Sequence, residues 1–298
     1  VDSNSDLWVG TMNGLALFDR GNDTFLYFTN NPRHADSLVD NQISAIFEDR
    51  SRMLWIATYG GGTSRFNLDR QWFAHLRFHP EKEDGLPHPA IQSLSDGGED
   101  GVWIGTEKGL ARWDPEAATF APVPSGFPSL RTGPSLNING VLKDKNGHLW
   151  LATRGDGLIR HNREGGVTAF THDAKNSASL GHDNVSTVFQ DGRQRIFVGT
   201  HGGGLWHFDP ANSRFSRIVT SAGRDESVDF ISAIREDSSG NLWICTPSQV
   251  YLLPKEATAL VSLAAAFPNA EKTTSTRFTT ILPDANGIVW IGTRDAGL

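Results

Sequence analysis

The sequence is poor in cysteine, and this scarcity excludes two kinds of site. Cys245 is the single cysteine among 298 residues. One thiol cannot form a disulfide framework within the chain, and it cannot supply the paired cysteines of a structural zinc site. Cys245 lies in an apolar segment, which favours a small buried residue over a nucleophile. We predict no bound metal and no cofactor.

Long apolar runs and clusters of basic residues are also missing. No segment approaches the roughly 18 consecutive apolar residues of a membrane helix, and Val1 follows no charged-then-apolar leader. The 27 Lys and Arg are outnumbered by 34 Asp and Glu and form no cluster. These features argue against nucleic acid as a partner and against direct membrane contact from this segment.

Motifs of the common enzyme classes are lacking as well. The sequence contains no His-Glu-x-x-His, no Gly-x-Ser-x-Gly and no phosphate-binding Gly-x-x-x-x-Gly-Lys. Its ten histidines are scattered, and His161 and His207 fall in predicted strands, where a half-buried structural residue is expected. We predict no catalytic residues and no enzyme activity.

Tryptophan and glycine, by contrast, are plentiful, with 9 and 31 copies, and the tryptophans mark an internal repeat. An aromatic residue recurs about every 47 residues in segments such as Leu-Trp-Ile-Gly-Thr. The seven aromatic positions are Trp8, Trp55, Trp103, Trp150, Phe197, Trp243 and Trp290.

The same surroundings accompany each aromatic residue. An apolar alternation that ends in Asp precedes it, as in Ile43 to Asp49, and a Gly-rich link with a third strand follows it, as in Gly204 to Asp209. A fourth, less regular segment completes the period. The Asp residues fit hairpin turns far better than calcium loops, which need a bidentate Glu and flanking helices. Four short strands per period are typical of a propeller blade.

The repeat predicts an all-β fold, a β-propeller of four-stranded antiparallel blades. It has seven repeats, of which the first and the last blade are incomplete. In the alternative, six blades close and Phe278 to Asp284 pairs with the strands of the first copy. We treat residues 1–298 as a single propeller domain and as a fragment of a longer chain.

The repeat unit resembles the two-component regulator propeller repeat. The likeness is carried by Asn241 to Ile244 with Asp237 ahead, by Gly202 to Leu205 with Phe208-Asp209-Pro210 behind, and by the Ser-Leu element of the links between blades. Blade six departs from it, since Pro247 to Val250 replaces the Gly-rich link.

The resemblance implies an extracytoplasmic, periplasmic sensor region of a bacterial membrane-anchored signalling protein. In that family such propellers are joined to histidine kinase, response-regulator or diguanylate cyclase modules. The expected partners are therefore a second propeller or a dimer partner in the full-length receptor, and a ligand.

Residues that differ between equivalent copies are the candidates for a local function. The links that follow the repeated Thr are expected to ring one mouth of the propeller channel. The long links between blades supply further candidate segments, which are Arg33-His34, Glu81 to His88, Phe127 to Pro134, His172 to Lys175 and Arg224 to Glu226. Mixed charge with an aromatic residue suits a small polar ligand such as a saccharide or oligosaccharide. The predicted ligand-binding residues are Tyr59, Glu107, Arg154, Asp156, His201, Arg294 and Asp295.

A second hypothesis is a propeller lyase that resembles the streptogramin-inactivating lyases. Such an enzyme would need a His, a Glu and a magnesium ion together at the channel mouth. His201 and Glu107 are the residues available for that role, and they lie two repeats apart.

Overall fold

The computed structural model describes residues 1–67, 72–81, 85–123, 136–223, 225–266, 277–284 and 286–294. Within these ranges 25 strands form seven antiparallel sheets. Helical structure there is limited to two 3-10 turns, Gly98–Asp100 and Glu226–Asp229, and to one short helix, α1 (Leu263–Ala266).

Strands follow one another in chain order within each sheet, and each sheet corresponds to one blade. Blades 1 to 3 consist of β1 (Leu7–Thr11), β2 (Gly14–Asp19), β3 (Thr24–Phe28); β4 (Ile43–Glu48), β5 (Met53–Thr58), β6 (Thr63–Asn67), β7 (Trp72–Leu76); β8 (Ile91–Asp96), β9 (Val102–Thr106), β10 (Gly109–Asp114), β11 (Thr119–Ala121). Blades 4 to 7 consist of β12 (Ile138–Lys143), β13 (Leu149–Thr153), β14 (Leu158–His161), β15 (Val167–Phe170); β16 (Val185–Gln190), β17 (Ile196–Thr200), β18 (Leu205–Asp209), β19 (Arg214–Ile218); β20 (Ala233–Glu236), β21 (Leu242–Cys245), β22 (Val250–Leu253), β23 (Val261–Ser262); β24 (Phe278–Pro283), β25 (Val289–Thr293).

The prediction of an all-β propeller with four-stranded antiparallel blades is confirmed. Five described sheets have four strands, the first has three and the last has two. Six sheets of three or four strands agree with the six-bladed alternative, and the final Trp motif belongs to a two-stranded seventh sheet, in which β24 pairs with β25.

The chain divides into two compact units. The first comprises residues 1–143 and 164–167, and the second comprises residues 144–163 and 168–298. In blades 2 to 6 the second strand is the most buried, with Trp55 and Ile56 fully buried in the first unit and Phe197 and Val198 almost so in the second. These strands are apolar on both faces because both faces are covered.

The small residue two positions after the repeated aromatic makes room for a neighbouring blade. A Cβ on Gly10 would lie 2.5 Å from Cγ2 of Ile43, and one on Gly199 would lie 2.6 Å from Cγ2 of Ile231. Ile43 opens β4, and Ile231 lies just ahead of β20. The first strand of the next blade therefore packs where a larger side chain would stand.

The Asp ahead of each aromatic does more than form a turn. Asp144 Oδ1 accepts hydrogen bonds from the turn amides of Asn146 and His148, both at 2.9 Å, and its Oδ2 accepts the indole N–H of Trp150 at 2.8 Å. We call this arrangement the Asp–Trp clasp. It recurs between Asp2 and Trp8, Asp49 and Trp55, Asp237 and Trp243, and Asp284 and Trp290.

Two blades lack the clasp, for different reasons. In blade 3 one extra residue separates Asp96 from Trp103, and the buried indole Nε1 of Trp103 has no hydrogen-bond partner among the described residues. In blade 5 the aromatic residue is Phe197, which has no N–H, and Asp191 Oδ2 instead accepts from Arg195 Nε at 2.6 Å.

Third-strand cations cover the aromatic rings from across the sheet. Arg65 is paired in register with Trp55, and its guanidinium carbon lies 5.5 Å from that ring and 4.8 Å from the ring of Trp113. Arg160 takes the same place over Trp150 at 5.4 Å. A guanidinium over an aromatic face is stabilised by the ring quadrupole. These residues therefore serve packing within a blade and against the next blade, since Trp113 belongs to β10 of blade 3 and Arg160 also lies 5.8 Å from the ring of Phe208 in blade 5.

Two expectations from the sequence are confirmed at single residues. Cys245 is fully buried, and burial raises the pKa of its thiol to about 12. His161 and His207 lie in the third strands β14 and β18, buried and half-buried respectively. Over the described residues, no helix reaches the length and hydrophobicity required to cross a bilayer.

Candidate functional site

In blades 1 to 6 the repeated Thr fixes the start of the link that follows the strand bearing the repeated aromatic residue. Thr200 Oγ1 donates to the Gly204 carbonyl at 3.0 Å and accepts from Gly203 N at 3.0 Å. Thr58 makes the equivalent bonds to Gly62 and Gly61 at 2.8 and 3.0 Å. The hydroxyl thereby closes a tight link, and the residue after Thr projects from a rigid base.

In the first unit, two predicted site residues occupy separate links. Tyr59 follows β5, is 42% exposed and donates its backbone N–H to the Gln42 carbonyl at 3.0 Å. Glu107 follows β9 and accepts from Gln92 Nε2 at 3.2 Å, with His88 Nδ1 3.8 Å from its other oxygen. Burial lowers the pKa of His88, and Glu107 partly opposes that shift.

In the second unit, Arg154 and His201 lie on either side of one residue of the link that enters blade 5. Asn184 forms an isolated antiparallel bridge with Arg154, and its carbonyl accepts the His201 backbone N–H at 2.8 Å. The Asn184 backbone N–H donates to Nδ1 of His182 at 2.9 Å, so the proton of a neutral His182 is on Nε2. Arg154, His182, His201 and Phe230 are called the link cluster below.

The polar atoms of the link cluster and of Asn184 suit a ligand that has both hydrogen-bond donors and acceptors. The pKa of His201 is lowered, first because burial removes water from the imidazole and then because the positive charge of Arg154, and of His182 whenever that ring is protonated, opposes its protonation. Side-chain Oδ1 of Asn184 is buried and has no hydrogen-bond partner among the described residues.

Phe230 adds an aromatic surface to the link cluster. It is 51% exposed, pairs with His201 in an isolated bridge, and its ring centroid lies 6.3 Å from the imidazole. The 3-10 turn ahead of Phe230 is held in place because the Asp229 carbonyl accepts Gly202 N and Gly204 N at 2.8 and 3.1 Å. Phe230 belongs to the segment between β19 and β20, and these bonds hold its exposed ring against the link that carries His201.

A buried tyrosine holds the other end of that turn. Tyr251 is 1% exposed and donates from its hydroxyl to Asp225 Oδ2 at 2.7 Å, while Ser227 Oγ contacts the same hydroxyl. Burial is the main cause that raises the pKa of Tyr251 to about 12, and hydrogen bonds from Ser227 and Tyr251 lower the pKa of Asp225. The link cluster thus stands on a fixed base.

Of the remaining predicted residues, two lie at exposed positions and one lies outside the described residues. Asp156 and Arg294 are exposed, and they bond through their backbone N–H groups to Thr153 Oγ1 at 3.1 Å and to the Arg277 carbonyl at 2.9 Å. Asp295 lies outside the described residues, as do Phe127 to Pro134, residues 82–84 and Arg224 of the links between blades.

The structure brings together Arg154 and His201, but Tyr59 and Glu107 belong to the first unit. The described residues contain no group of three or more His, Cys, Asp or Glu side chains placed to hold a metal ion. Sequence reasoning missed His182 and Phe230. A signal for His182 was present, since the equivalent position of the link into blade 2 is Asp40.

The first unit contains a cleft whose lining differs from the link cluster, because it is mainly apolar and acidic. It measures about 470 Å³, and side chains of strands supply most of its lining, among them Trp8, Phe28 and Phe66. Its charged groups are the carboxylates of Asp6 and Asp36, and burial raises the pKa of Asp6. The cleft has no cation and includes no residue of a second-to-third-strand link.

The chain is similar to several known proteins. The family model "Two component regulator propeller" matches residues 37–60, 132–155, 225–248 and 274–295. Histidine kinase P4 of Formosa agariphila is 29% identical over 194 residues, which cover 64% of this chain and 14% of that protein. The chain therefore corresponds to a small part of that relative's length.

Solved structures share the fold at low identity. The extracellular domain of BT3049 from B. thetaiotaomicron, assigned to a hybrid two-component system, has a TM-score of 0.79 and 19% identity, covering 99% of this chain and 38% of that one. A catalytically inactive virginiamycin B lyase from Staphylococcus aureus, solved with quinupristin, has a TM-score of 0.67 and 10% identity, covering 98% of this chain and 89% of that one. These likenesses concern the fold alone.

Proposed function

Because four segments of the chain match the two-component regulator propeller model, we propose that it is the ligand-sensing propeller of a bacterial membrane-anchored signalling receptor. We place it in the periplasm, and we assign it a small polar ligand such as a saccharide. Ligand binding would bias the relative placement of receptor subunits, with a second propeller or a dimer partner as the other half of that contact.

The observation that carries the ligand proposal is the link cluster. Arg154, His182 and His201 offer donors around one link, and Phe230 places a half-exposed aromatic ring beside them. Donors next to an exposed aromatic face suit the hydroxyls and the apolar face of a sugar ring. Tyr59, Glu107, Asp156, Arg294 and Asp295 remain candidates on the other links.

A thermal-shift screen followed by calorimetry tests this proposal. The probes are neutral and uronic-acid-containing disaccharides and trisaccharides. We expect at least one to raise the melting temperature, and we expect Arg154→Ala and His201→Ala each to weaken its binding about tenfold, the loss of roughly 1.4 kcal/mol.

Arg214→Ala is the matched control. Arg214 is exposed at the start of β19, far along the strand from the links, and its removal changes the net charge as Arg154→Ala does. Undiminished affinity after Arg154→Ala and His201→Ala would overturn the assignment to the link cluster. No binding of any probe would overturn the saccharide class.

The similarity to virginiamycin B lyase keeps a lyase as the second candidate. That enzyme would need His201 and Glu107 with a magnesium ion, and the two residues belong to different compact units. Incubation with a type B streptogramin and magnesium, followed by mass spectrometry, separates the candidates. The sensor proposal predicts unchanged antibiotic, whereas linearised antibiotic that disappears in His201→Ala would establish the lyase.

A further inference from the structure

Beside the link cluster, blade 5 contains a cleft of about 280 Å³. Its walls are the link that enters the blade, Gly202 and Gly203 after β17, Trp206 of β18 and Arg217 of β19. All of these residues lie in the second unit. This blade-5 cleft includes none of the seven predicted ligand-binding residues, but His172, Asp173 and Ala174 of its lining belong to a link that the sequence analysis named as a candidate.

The entry link itself is a repeated structural element. The links into blades 2 and 5 make the same bonds at equivalent positions, so their length does not by itself indicate function. The matching bonds are Asn30 N to Asn41 Oδ1 and His172 N to Asp183 Oδ1, both 2.6 Å, and Asn31 N to Ser37 Oγ and Asp173 N to Ser179 Oγ, 2.8 and 2.9 Å.

Blade 2 closes the space between its entry link and its third strand. Ser64 Oγ accepts the Val39 backbone N–H at 3.0 Å and lies 3.3 Å from Nδ1 of His75. The other ring nitrogen of His75 donates to the Ala35 carbonyl at 2.9 Å. These bonds tie the link directly to strands β6 and β7.

Blade 5 replaces each of the closing residues. Trp206 stands where blade 2 has Ser64, and Gly181 where it has Val39; a Cβ on Gly181 would lie 2.3 Å from the indole. Arg217 stands in the place of His75, and its guanidinium pairs with Asp229 instead of with the entry link. The indole thus packs against the link at Gly181, and the Phe215 backbone N–H of β19 donates to the Ala178 carbonyl of the link at 2.9 Å. The side-chain bonds that close this space in blade 2 are absent among these residues, and a cleft remains that is lined by the link, Trp206 and Arg217.

The lining of the cleft suits a hydroxyl-rich ring. Trp206 is half-buried and its indole N–H donates to the Gly203 carbonyl at 2.9 Å, so the ring is held in one orientation. Around it lie the exposed polar residues His172, Asp173 and Asn176, which offer donors and acceptors. The volume is close to the low end of small-molecule sites, about 300 Å³.

We propose that the blade-5 cleft is a binding subsite for one sugar ring, and that the neighbouring ring of the same oligosaccharide lies on the link cluster. The two sites adjoin at Gly202, which lines the cleft and where a Cβ would stand 3.1 Å from the His182 ring. The ligand class rests on the proposed function, whereas the position of the subsite rests on the cleft.

Two sets of variants test the subsite. The triple variant Gly181→Val, Trp206→Ser, Arg217→His rebuilds in blade 5 the closed arrangement that blade 2 already has. Asp173→Ala is the milder variant, and Asn31→Ala is its control, because both side chains accept a backbone N–H two residues on, at 2.9 and 3.1 Å. The two truncations should cost the same stability, but only one changes the cleft.

Calorimetry uses the disaccharide or trisaccharide that binds best in the screen, with its constituent monosaccharides as single-ring probes. We expect the triple variant to weaken oligosaccharide binding about tenfold or more, and Asp173→Ala to weaken it clearly more than Asn31→Ala. If the triple variant does not fold, the comparison of Asp173→Ala with Asn31→Ala alone tests the subsite.

The outcomes separate this proposal from the previous one. Wild-type affinity in the triple variant, or equal affinity in the matched pair, overturns the subsite even if His201→Ala abolishes binding. If the cleft variants lose binding and the link-cluster variants keep wild-type affinity, the assignment to the link cluster is overturned and the cleft is supported. Failure of the wild-type protein to bind any probe overturns both.

Discussion

Replacement of Asp144 by Ala should remove one Asp–Trp clasp and destabilise the protein by about 3 kcal/mol. The carboxylate is 6% exposed and accepts from two turn amides and from the indole of Trp150, which is 2% exposed. A hydrogen bond to a charged group is worth about 1.5–3 kcal/mol, and a buried donor left without a partner costs about 1–3 kcal/mol. The turn amides can regain water, so the indole carries most of the loss.

The matched control is Asp96→Ala in blade 3. Asp96 accepts from Gly98 N at 2.7 Å and from the exposed Arg50 at 3.2 Å, but Trp103 makes no bond to it. Its loss should cost about 1 kcal/mol, because a surface ion pair contributes little. Urea unfolding followed by circular dichroism compares the two. Equal destabilisation by both substitutions would refute the role given to the indole bond.

Two further predictions follow from titratable groups. Burial is the first cause of the lowered pKa of His75, His88, His201 and His207. The unfolded chain therefore binds more protons near pH 6.5, and the stability of the folded protein falls as the pH drops through that value. The difference between the melting temperatures at about pH 8 and 5.5 should be smaller in His207→Gln than in the wild type, and an unchanged difference would refute this. Cys245, fully buried with a pKa of about 12, should resist a thiol reagent in the folded protein and react fully in urea, whereas rapid labelling without denaturant would contradict its burial.

Much of the fold was predictable because every blade solves the same packing problem. The period of the aromatic residues gave the number of sheets, and the small residue after each aromatic indicated close packing. The Asp–Trp clasp was also readable in principle, since the spacing from Asp144 to Trp150 recurs in other copies and is longer by one residue between Asp96 and Trp103.

The site was less predictable because its residues act across blades. Arg154 and His201 stood out as departures from the repeat, but their common neighbour Asn184 comes from a link whose course follows from tertiary hydrogen bonds. Trp206 lies within the repeated third-strand segment Gly204 to Asp209, so the sequence alone assigned it no function. Its part in the cleft becomes visible when it is compared with Ser64 of blade 2, together with the change from Val39 to Gly181.

The central claim is that the links of the second unit bind a saccharide. Isothermal titration calorimetry of the best oligosaccharide in the screen tests it directly. The proteins measured side by side are the wild type, the double variant that combines Arg154→Ala with His201→Ala, and the control Arg214→Ala. We predict that binding is lost in the double variant and retained in Arg214→Ala. Wild-type affinity in the double variant, or no oligosaccharide that binds the wild type, would contradict the claim.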